Sequence, residues 1–294
     1  MTEIIWPENL IEEIAYRRCI IFLGAGVSAT ATDSIGAHPK TWKELIVTLL
    51  EDCKDNLSVN NLNYIENMIE KDNYLFAIQA IFDYSDSGRV SHFLRKEFQH
   101  TKFKSSGVHE IIRELDSKIV VTTNFDKLFD DVCCAGISSC AERYYSFFDY
   151  RETPAIINNI RSSTNVVIKA HGKIDDCDKL IFSAKQYHKA QIDYSEFYQL
   201  LSALFLTHTV LFLGYSLQDP DINLLLQSIR PCLGEPSPHY LVCKHGTPAP
   251  LKKLWEEMYN IHLIEYGDTY DLLPNALELL KDSVLEMREN RNIG

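Results

Sequence analysis

The sequence predicts an α/β protein with a doubly wound parallel sheet and a helical insertion. Short runs rich in Ile, Val, Leu and Phe have the length of strands, and most are apolar on successive residues, as in strands covered on both faces. Helical patterns lie between the later runs, at 193–207, 219–229 and 248–259, and a closing helix is predicted over 268–289. The predicted strands are 19–23, 119–123, 166–170, 210–213, 239–243 and 261–266.

The interval from about 30 to 115 breaks this alternation. No strand is predicted there, and apolar residues recur at helical spacing in 41–53, 62–70, 73–84 and 89–98. We interpret the interval as a helical insertion between the first two strands. The 294 residues, of which 46% are apolar, are then expected to form a single domain over 1–294 that includes this insertion.

Composition restricts the class of function. The formal net charge is −12, whereas binding to a nucleic acid backbone depends on clustered Lys and Arg, so direct nucleic acid binding is not expected. No apolar run approaches the roughly 20 residues of a membrane span. The acidic start, MTEIIWPENLIEE, does not have the pattern of a signal peptide. We therefore expect a soluble cytoplasmic protein that does not associate with membranes.

The eight cysteines do not suggest a metal site. None forms a C-x-x-C pair, and the one cluster, Cys133, Cys134 and Cys140, has no spacing typical of a zinc site. Scattered reduced thiols of a cytosolic protein are the expected state.

A glycine-rich loop follows the first predicted strand. Its sequence, Gly24-Ala25-Gly26-Val27-Ser28-Ala29, matches the G-x-G-x-x-A pattern in which backbone N–H groups approach a pyrophosphate. A glycine turn made only for packing is the alternative. A dehydrogenase would also place an acidic residue after a second strand about 20 residues later. That position falls near Glu44, inside a helical pattern, so the loop indicates phosphate binding without hydride transfer.

A polar segment, Thr122-Thr123-Asn124-Phe125-Asp126, directly follows the apolar run IVV (119–121) of the second predicted strand. Ligands of open α/β sheets bind beyond the carboxyl ends of the strands, so these side chains are candidate ligand contacts. Asn124 also suits the cap of a helix predicted over 125–132. The two roles are compatible.

Two further motifs occupy the same position after later strands. His171-Gly172 follows 166–170; a lone histidine is more often structural, but its ordinary pKa near ~6.5 suits a general base. The segment Gly214-Tyr215-Ser216-Leu217-Gln218-Asp219 follows 210–213. There Ser216 offers a hydroxyl to a phosphate or ribose, while Asp219 suits either a ligand contact or a helix cap before Pro220.

The four motifs, in this order, resemble those of the sirtuin superfamily: Gly-Ala-Gly-x-Ser, Thr-Gln-Asn-x-Asp, His-Gly and Gly-Thr-Ser. The resemblance runs from residue 20 to about 221 and implies a Rossmann-like fold that binds NAD. It assigns Asn124 to the ribose and the attacking water, Asp126 to the nicotinamide carboxamide, and His171 to the role of catalytic base. The residues it implies for the rest of NAD binding are Gly24, Ala25, Gly26, Ser28, Thr123, Gly214, Ser216 and Asp219.

Departures from the deacylase pattern are equally informative. The paired cysteines of the sirtuin zinc ribbon and the Phe-Gly-Glu segment that helps bind peptide are both missing. The segments HPKTWKEL, TTNFD, LIFSAKQY and GYSLQDPDI resemble instead the sirtuin-like domain of bacterial antiphage defence. This resemblance implies a zinc-free NAD glycohydrolase that yields nicotinamide and ADP-ribose and defends by depleting NAD, which is its substrate.

Alternatives remain open at this point. They are an NAD-dependent protein deacylase, a non-catalytic module that senses NAD or ADP-ribose, and cyclisation of ADP-ribose in place of hydrolysis. The resemblance also implies partners: a homo-oligomer working with a HerA-like ATPase or, as the second choice, with a short Argonaute.

Overall fold

A seven-stranded sheet, parallel throughout, organises the protein in the order β3-β4-β2-β1-β5-β6-β7. The computed structural model describes residues 4–99, 102–135, 145–217, 220–232 and 238–293. After β1 the chain builds one half of the sheet and then crosses to the other side of β1, which is the reversal that defines a doubly wound α/β fold. The strands are β1 Cys19–Leu23, β2 Ile119–Thr122, β3 Tyr145–Asp149, β4 Asn165–Lys169, β5 Thr209–Leu213, β6 His239–Cys243 and β7 Ile261–Glu265.

The sheet confirms the predicted fold class and adds one strand. All six predicted strands form within one residue of their expected ends, whereas β3 was not predicted. Among the described residues, β3 is an edge strand whose one partner is β4, and four of its five residues are half-buried. Its sequence, YSFFD, mixes aromatic and polar residues because one side of the strand stays accessible, so the run of apolar residues that marks a central strand is missing.

Fourteen α-helices occur in the described residues, and short 3-10 or π turns extend several of them. Their bounds are α1 Glu8–Ala15, α2 Ala25–Ser28, α3 Trp42–Cys53, α4 Val59–Glu70, α5 Tyr74–Tyr84, α6 Ser87–Leu94, α7 Gly107–Glu114, α8 Leu128–Cys134, α9 Thr153–Ile160, α10 Ala184–Asp193, α11 Ser195–Thr207, α12 Pro220–Ile229, α13 Ala249–Tyr259 and α14 Leu273–Arg291.

The central strands alternate between two apolar layers. Ile21 and Leu23 of β1 face a core that also contains residues of α1, α7, α8 and α14. Ile20 and Phe22 face a second core with α9, α10, α11, α12 and α13. Because both faces are covered, every residue of β1, β2, β4 and β5 is buried, which explains the continuous apolar runs in the sequence.

The helical insertion forms a third core. α3, α4, α5 and α6 bury residues such as Ile46, Leu49 and Ile78 against each other, and this core also includes Phe125 and Phe182 from loops that follow β2 and β4. Thr41 begins α3 with a reciprocal cap, since its N–H donates to Glu44 Oε2 at 2.8 Å. α7 packs instead in the layer with α1 and α14. Because Phe125 and Phe182 come after the carboxyl ends of β2 and β4, the core of the insertion packs at this end of the strands.

Among the residues that the structure describes, no helix has both the length and the apolar character required to cross a membrane.

Candidate functional site

Two loops cross closely where the strand order reverses. Gly24, directly after β1, donates its N–H to Leu213 O of β5 at 2.9 Å, and Gly26 donates to Gly214 O at 2.8 Å. Gly214 has φ +60°, and a Cβ on Gly24 would lie 2.5 Å from Gly214 O. The glycines are therefore required for the approach of the two backbones, which is the packing role considered for this motif. Ala25 and Gly26 nevertheless remain exposed at the switch point, where open α/β sheets bind ligands.

The predicted residues after β1 and β2 are joined by hydrogen bonds. Ser28 Oγ donates to Asp126 Oδ2 at 2.7 Å. The Asn124 side-chain amide donates to both Gly24 O and Ser28 Oγ, each at 2.9 Å. With both amide hydrogens engaged, Asn124 Oδ1 is oriented as an acceptor, and it accepts no hydrogen bond from the described residues. The structure thus brings four of the candidate residues into one network.

The side chain that accepts a hydrogen bond at the start of α8 is Asp126 and not Asn124. Asp126 Oδ1 accepts from the N–H of Leu128, the first residue of the helix, at 3.0 Å. The backbone N–H of Asn124 donates to Thr122 Oγ1 at 3.0 Å, which fixes the position of this residue. Asn124 therefore has no capping role, and its side chain belongs to the network with Ser28.

His171 follows β4, but its side chain is buried. It is only 3% exposed and packs edge-on against Tyr187 of α10, with ring centroids 5.0 Å apart. The Tyr187 hydroxyl lies 3.4 Å from His171 Nδ1. Gly172 has φ +96°, which lets the chain turn back so that Ile181 N–H donates to His171 O. The strands β2 and β4 are neighbours, so the loops that carry Asn124 and His171 lie side by side.

The remaining predicted residues lie at the same edge of the sheet. Thr123 is half-buried between Thr122 and Asn124, and Ser216 is exposed after β5. Asp219 lies outside the described residues. α12 begins at Pro220, in agreement with the expected helix start.

Three polar residues that the sequence did not identify line a small cavity together with residues of this network. Its lining includes Ser28, Asn124 and Asp126 of the network together with His109, Asp130 and Lys169. Lys169 carried a signal that could have been used, because a lysine inside the predicted buried strand VVIKA must find a buried partner. His109 and Asp130 lie in ordinary amphipathic helices, where nothing in the sequence distinguishes them.

The titratable side chains that line the cavity influence each other's pKa values. Burial raises the pKa of Asp130, and the positive charge of Lys169 opposes this shift. Burial lowers the pKa of His109, which favours the neutral ring. Since Ser106 N–H donates to His109 Nδ1 at 3.1 Å, the neutral ring carries its proton on Nε2. The lining of the cavity therefore includes an acceptor, the Asp126 side chain, and a ring with an N–H donor, His109.

Within the described residues, no group of three or more His, Cys, Asp or Glu side chains is arranged to hold a metal ion. The seven cysteines in this part of the chain are free thiols. Cys140 lies outside it.

The chain belongs to the SIR2-like domain family, whose sequence model matches residues 118–264, half of its length. The chain is 25% identical to Defense-associated sirtuin 2 of Bacillus subtilis over 97% of its own length and 27% of that protein. It is 30% identical to NAD(+) hydrolase ThsA of Enterococcus faecium over 46% of this chain and 27% of that protein.

Another similar protein is NAD(+) hydrolase ThsA of Bacillus cereus (strain MSX-D12), 23% identical over 76% of this chain and 42% of that protein. The chain thus spans about a quarter of the first two relatives and less than half of the third. A solved complex of a Sir2 homologue with NAD aligns over 99% of this chain and 97% of that one, with a TM-score of 0.45 and 13% identity.

Proposed function

We propose that this chain hydrolyses NAD to nicotinamide and ADP-ribose and acts in antiphage defence by depleting NAD. The observation that carries the proposal is the network in which Ser28, Asn124 and Asp126 join the loops after β1 and β2 beside the crossing of Gly24 and Gly214. The names of the relatives, a defence-associated sirtuin and four NAD hydrolases, support the same activity.

In the proposed reaction, the bond between ribose C1′ and the pyridinium nitrogen breaks, and its electron pair stays with nicotinamide. Asp126 accepts the carboxamide N–H of nicotinamide, while its carboxylate also faces the charge of the pyridinium ring. Asn124 Oδ1 holds the attacking water near C1′. His171 takes a proton as the water oxygen bonds to the ribose cation, so that ADP-ribose and one proton result.

The fixed geometry of the network favours this chemistry. Asp126 is restrained through both carboxylate oxygens, by Ser28 and by Leu128 N–H, and Asn124 is restrained through both amide hydrogens. Groups that are already oriented need no rearrangement when charge develops in the transition state. His171 is buried beside Tyr187, so in our proposal it acts from beneath the ribose with the bulk water excluded.

The test is to incubate the purified protein with NAD and separate the products by chromatography. We expect nicotinamide and ADP-ribose; cyclic ADP-ribose would instead indicate cyclisation, and a reaction that requires an acylated peptide would indicate a deacylase. Asn124→Ala should reduce turnover by about 100-fold or more, since it removes an oriented group at the reacting centre. Asn63→Ala, on the exposed surface of α4, is the matched control and should keep full activity. Full turnover by a folded Asn124→Ala protein would refute the proposed role.

We also propose that the chain acts in the cytoplasm as a homo-oligomer with a HerA-like ATPase partner. The free thiols support a reducing compartment. The insertion exposes large apolar side chains, Val59 of α4 (72% exposed) and Phe76 of α5 (61%), which favours burial against a second copy. Light scattering with and without Val59→Asp/Phe76→Asp should show an oligomer that this double variant disrupts. A monomeric wild-type chain at micromolar concentration would contradict the oligomer.

A further inference from the structure

We propose that Lys169 is a positioning residue that holds the loop of Asp126 in the geometry needed at the nicotinamide end of the site. The inference rests on the proposed function. Lys169 is the last residue of β4, and its register partner is Thr122, the last residue of β2. Its side chain is only 3% exposed, although a lysine at a strand end would ordinarily extend into water.

The ammonium group of Lys169 joins two parts of the site. Nζ donates to the backbone carbonyl of Asp126 at 2.6 Å, and it lies 2.9 Å from Asp130 Oδ1 on α8. Asp126 is thereby anchored at three points, namely its carbonyl by Lys169 and its two carboxylate oxygens by Leu128 N–H and Ser28 Oγ. Of these three contacts, the hydrogen bond from Lys169 holds the peptide group of Asp126. The position of that peptide group sets the direction in which the carboxylate points.

The charge of Lys169 is matched to its surroundings. Asp126, Asp130 and Asp131 lie on the same loop and helix, and each adjacent carboxylate raises the pKa of Asp130. His109 also lines the cavity, and burial lowers its pKa, which favours the neutral ring over the cation. Lys169 is therefore the buried cation that faces these carboxylates within the described lining of the cavity.

A purely structural ion pair would behave differently from a positioning contact. Loss of a structural pair lowers stability and affects all ligands alike. Loss of the contact to the Asp126 carbonyl should change the site locally, at the end that receives nicotinamide, and leave the glycine loops that receive ADP-ribose in place. The two ends of the substrate can be probed separately with the two products.

The experiment compares Lys169→Met with Lys118→Met. Methionine preserves the length of the side chain and removes its charge. Lys118 directly precedes β2 and also donates to backbone carbonyls, including Asn159 O at 3.2 Å. It lies at the amino ends of the strands, whereas the site lies at their carboxyl ends. Nicotinamide and ADP-ribose binding would be measured on each protein by NMR, together with turnover of NAD and the melting temperature.

We expect Lys169→Met to weaken nicotinamide binding by at least tenfold and to lower kcat by on the order of 100-fold, with ADP-ribose affinity within about twofold of wild type. Lys118→Met should leave both affinities and kcat unchanged. Equal weakening of the two ligands in Lys169→Met, or no weakening of either, would overturn the assignment.

A second variant, Lys169→Met/Asp130→Asn, removes the charge that Lys169→Met leaves unpaired, so it should fold even where the single variant does not. It should still bind nicotinamide weakly, because the Asp126 carbonyl remains unheld. If the double variant binds nicotinamide as tightly as the wild-type protein does, Lys169 only neutralises the charge of Asp130, and the assignment fails. Unfolding of both variants would identify a folding requirement and would equally refute it.

These outcomes separate the inference from the function beneath it. A wild-type chain that neither cleaves NAD nor binds ADP-ribose would defeat the proposed function, and the inference with it. A wild-type chain that does both, together with a Lys169→Met variant that keeps normal nicotinamide binding, would defeat the inference alone.

Discussion

Replacing Gly24 with alanine should separate the two loops that form the floor of the site. The Cβ of the new residue would lie 2.5 Å from Gly214 O and 2.7 Å from Tyr215 Cα, and both of these atoms belong to backbone. Gly24 has φ −101° and ψ 179°, values that alanine adopts freely, so the substitution introduces only the steric clash. An ordinary contact begins near 3.4 Å, so the loops must move apart by about 0.9 Å.

The expected magnitude follows from this displacement. Overpacking of this kind costs about 1–3 kcal/mol. For a chain of 294 residues, with an unfolding entropy of about 2.1 cal/mol/K per residue, the melting temperature should fall by about 2–5 °C. A shift near 1 Å at a reacting centre reduces rates by on the order of 100-fold, so NAD turnover should fall far more than stability does.

The assay combines differential scanning fluorimetry with chromatographic measurement of NAD turnover. Gly107→Ala is the matched control, because Gly107 begins α7 and no atom lies within 4 Å of its added Cβ. That variant should keep full turnover and gain up to about 1 kcal/mol through reduced entropy of the unfolded chain. A Gly24→Ala protein with the melting temperature and turnover of wild type would refute the view that the close crossing of the loops builds the site.

Two histidines give further predictions. His171→Ala should abolish NAD cleavage and also lower the free energy of unfolding by about 1–3 kcal/mol, because the ring is buried against Tyr187; an unchanged melting temperature would contradict this packing. Burial lowers the pKa of His239 to about 4, whereas its value in the unfolded chain is 6.5. The unfolded chain therefore binds a proton more readily than the folded protein, so the free energy of unfolding should be highest above pH 6.5. It should decrease by roughly 3 kcal/mol as the pH falls towards 4. Urea titrations across this range should show a shallower decline for His239→Gln, and an identical decline would exclude His239 as the source.

The burial of His171 corrects one expectation from the sequence. A polar residue after a strand is expected at the rim of the cleft, where substitution changes stability little. The structure places α10 over the loop instead, so that Tyr187 covers the imidazole ring. Position along the chain places a residue at the carboxyl edge of the sheet, but the packing of a helix over the loop determines whether its side chain meets solvent.

Lys169 shows a second limit of the sequence, which concerns the contact partners of a residue. Its place in an apolar strand was a signal of a buried charge that the sequence analysis did not use, and its partners could not have been deduced from that signal. Asp126 and Asp130 lie some 40 residues earlier in the chain and meet it because β2 and β4 pair in a register that aligns Thr122 with Lys169. That register depends on which strands are neighbours, and β3, which the sequence did not reveal, occupies the edge beside β4.

What the sequence by itself determined is six of the seven strands, the helical character of the insertion and the position of the four motifs after their strands. Continuous apolar runs define central strands because both faces of a parallel sheet are covered, and glycine followed by polar residues marks the strand ends because a ligand site needs close backbone approach and polar groups. Tertiary structure alone decided which motifs touch. Ser28 meets Asp126 across 98 positions of chain, and Gly24 meets Gly214 across the reversal of strand order. Local propensity acts over a few residues, whereas such contacts depend on the order and register of the whole sheet.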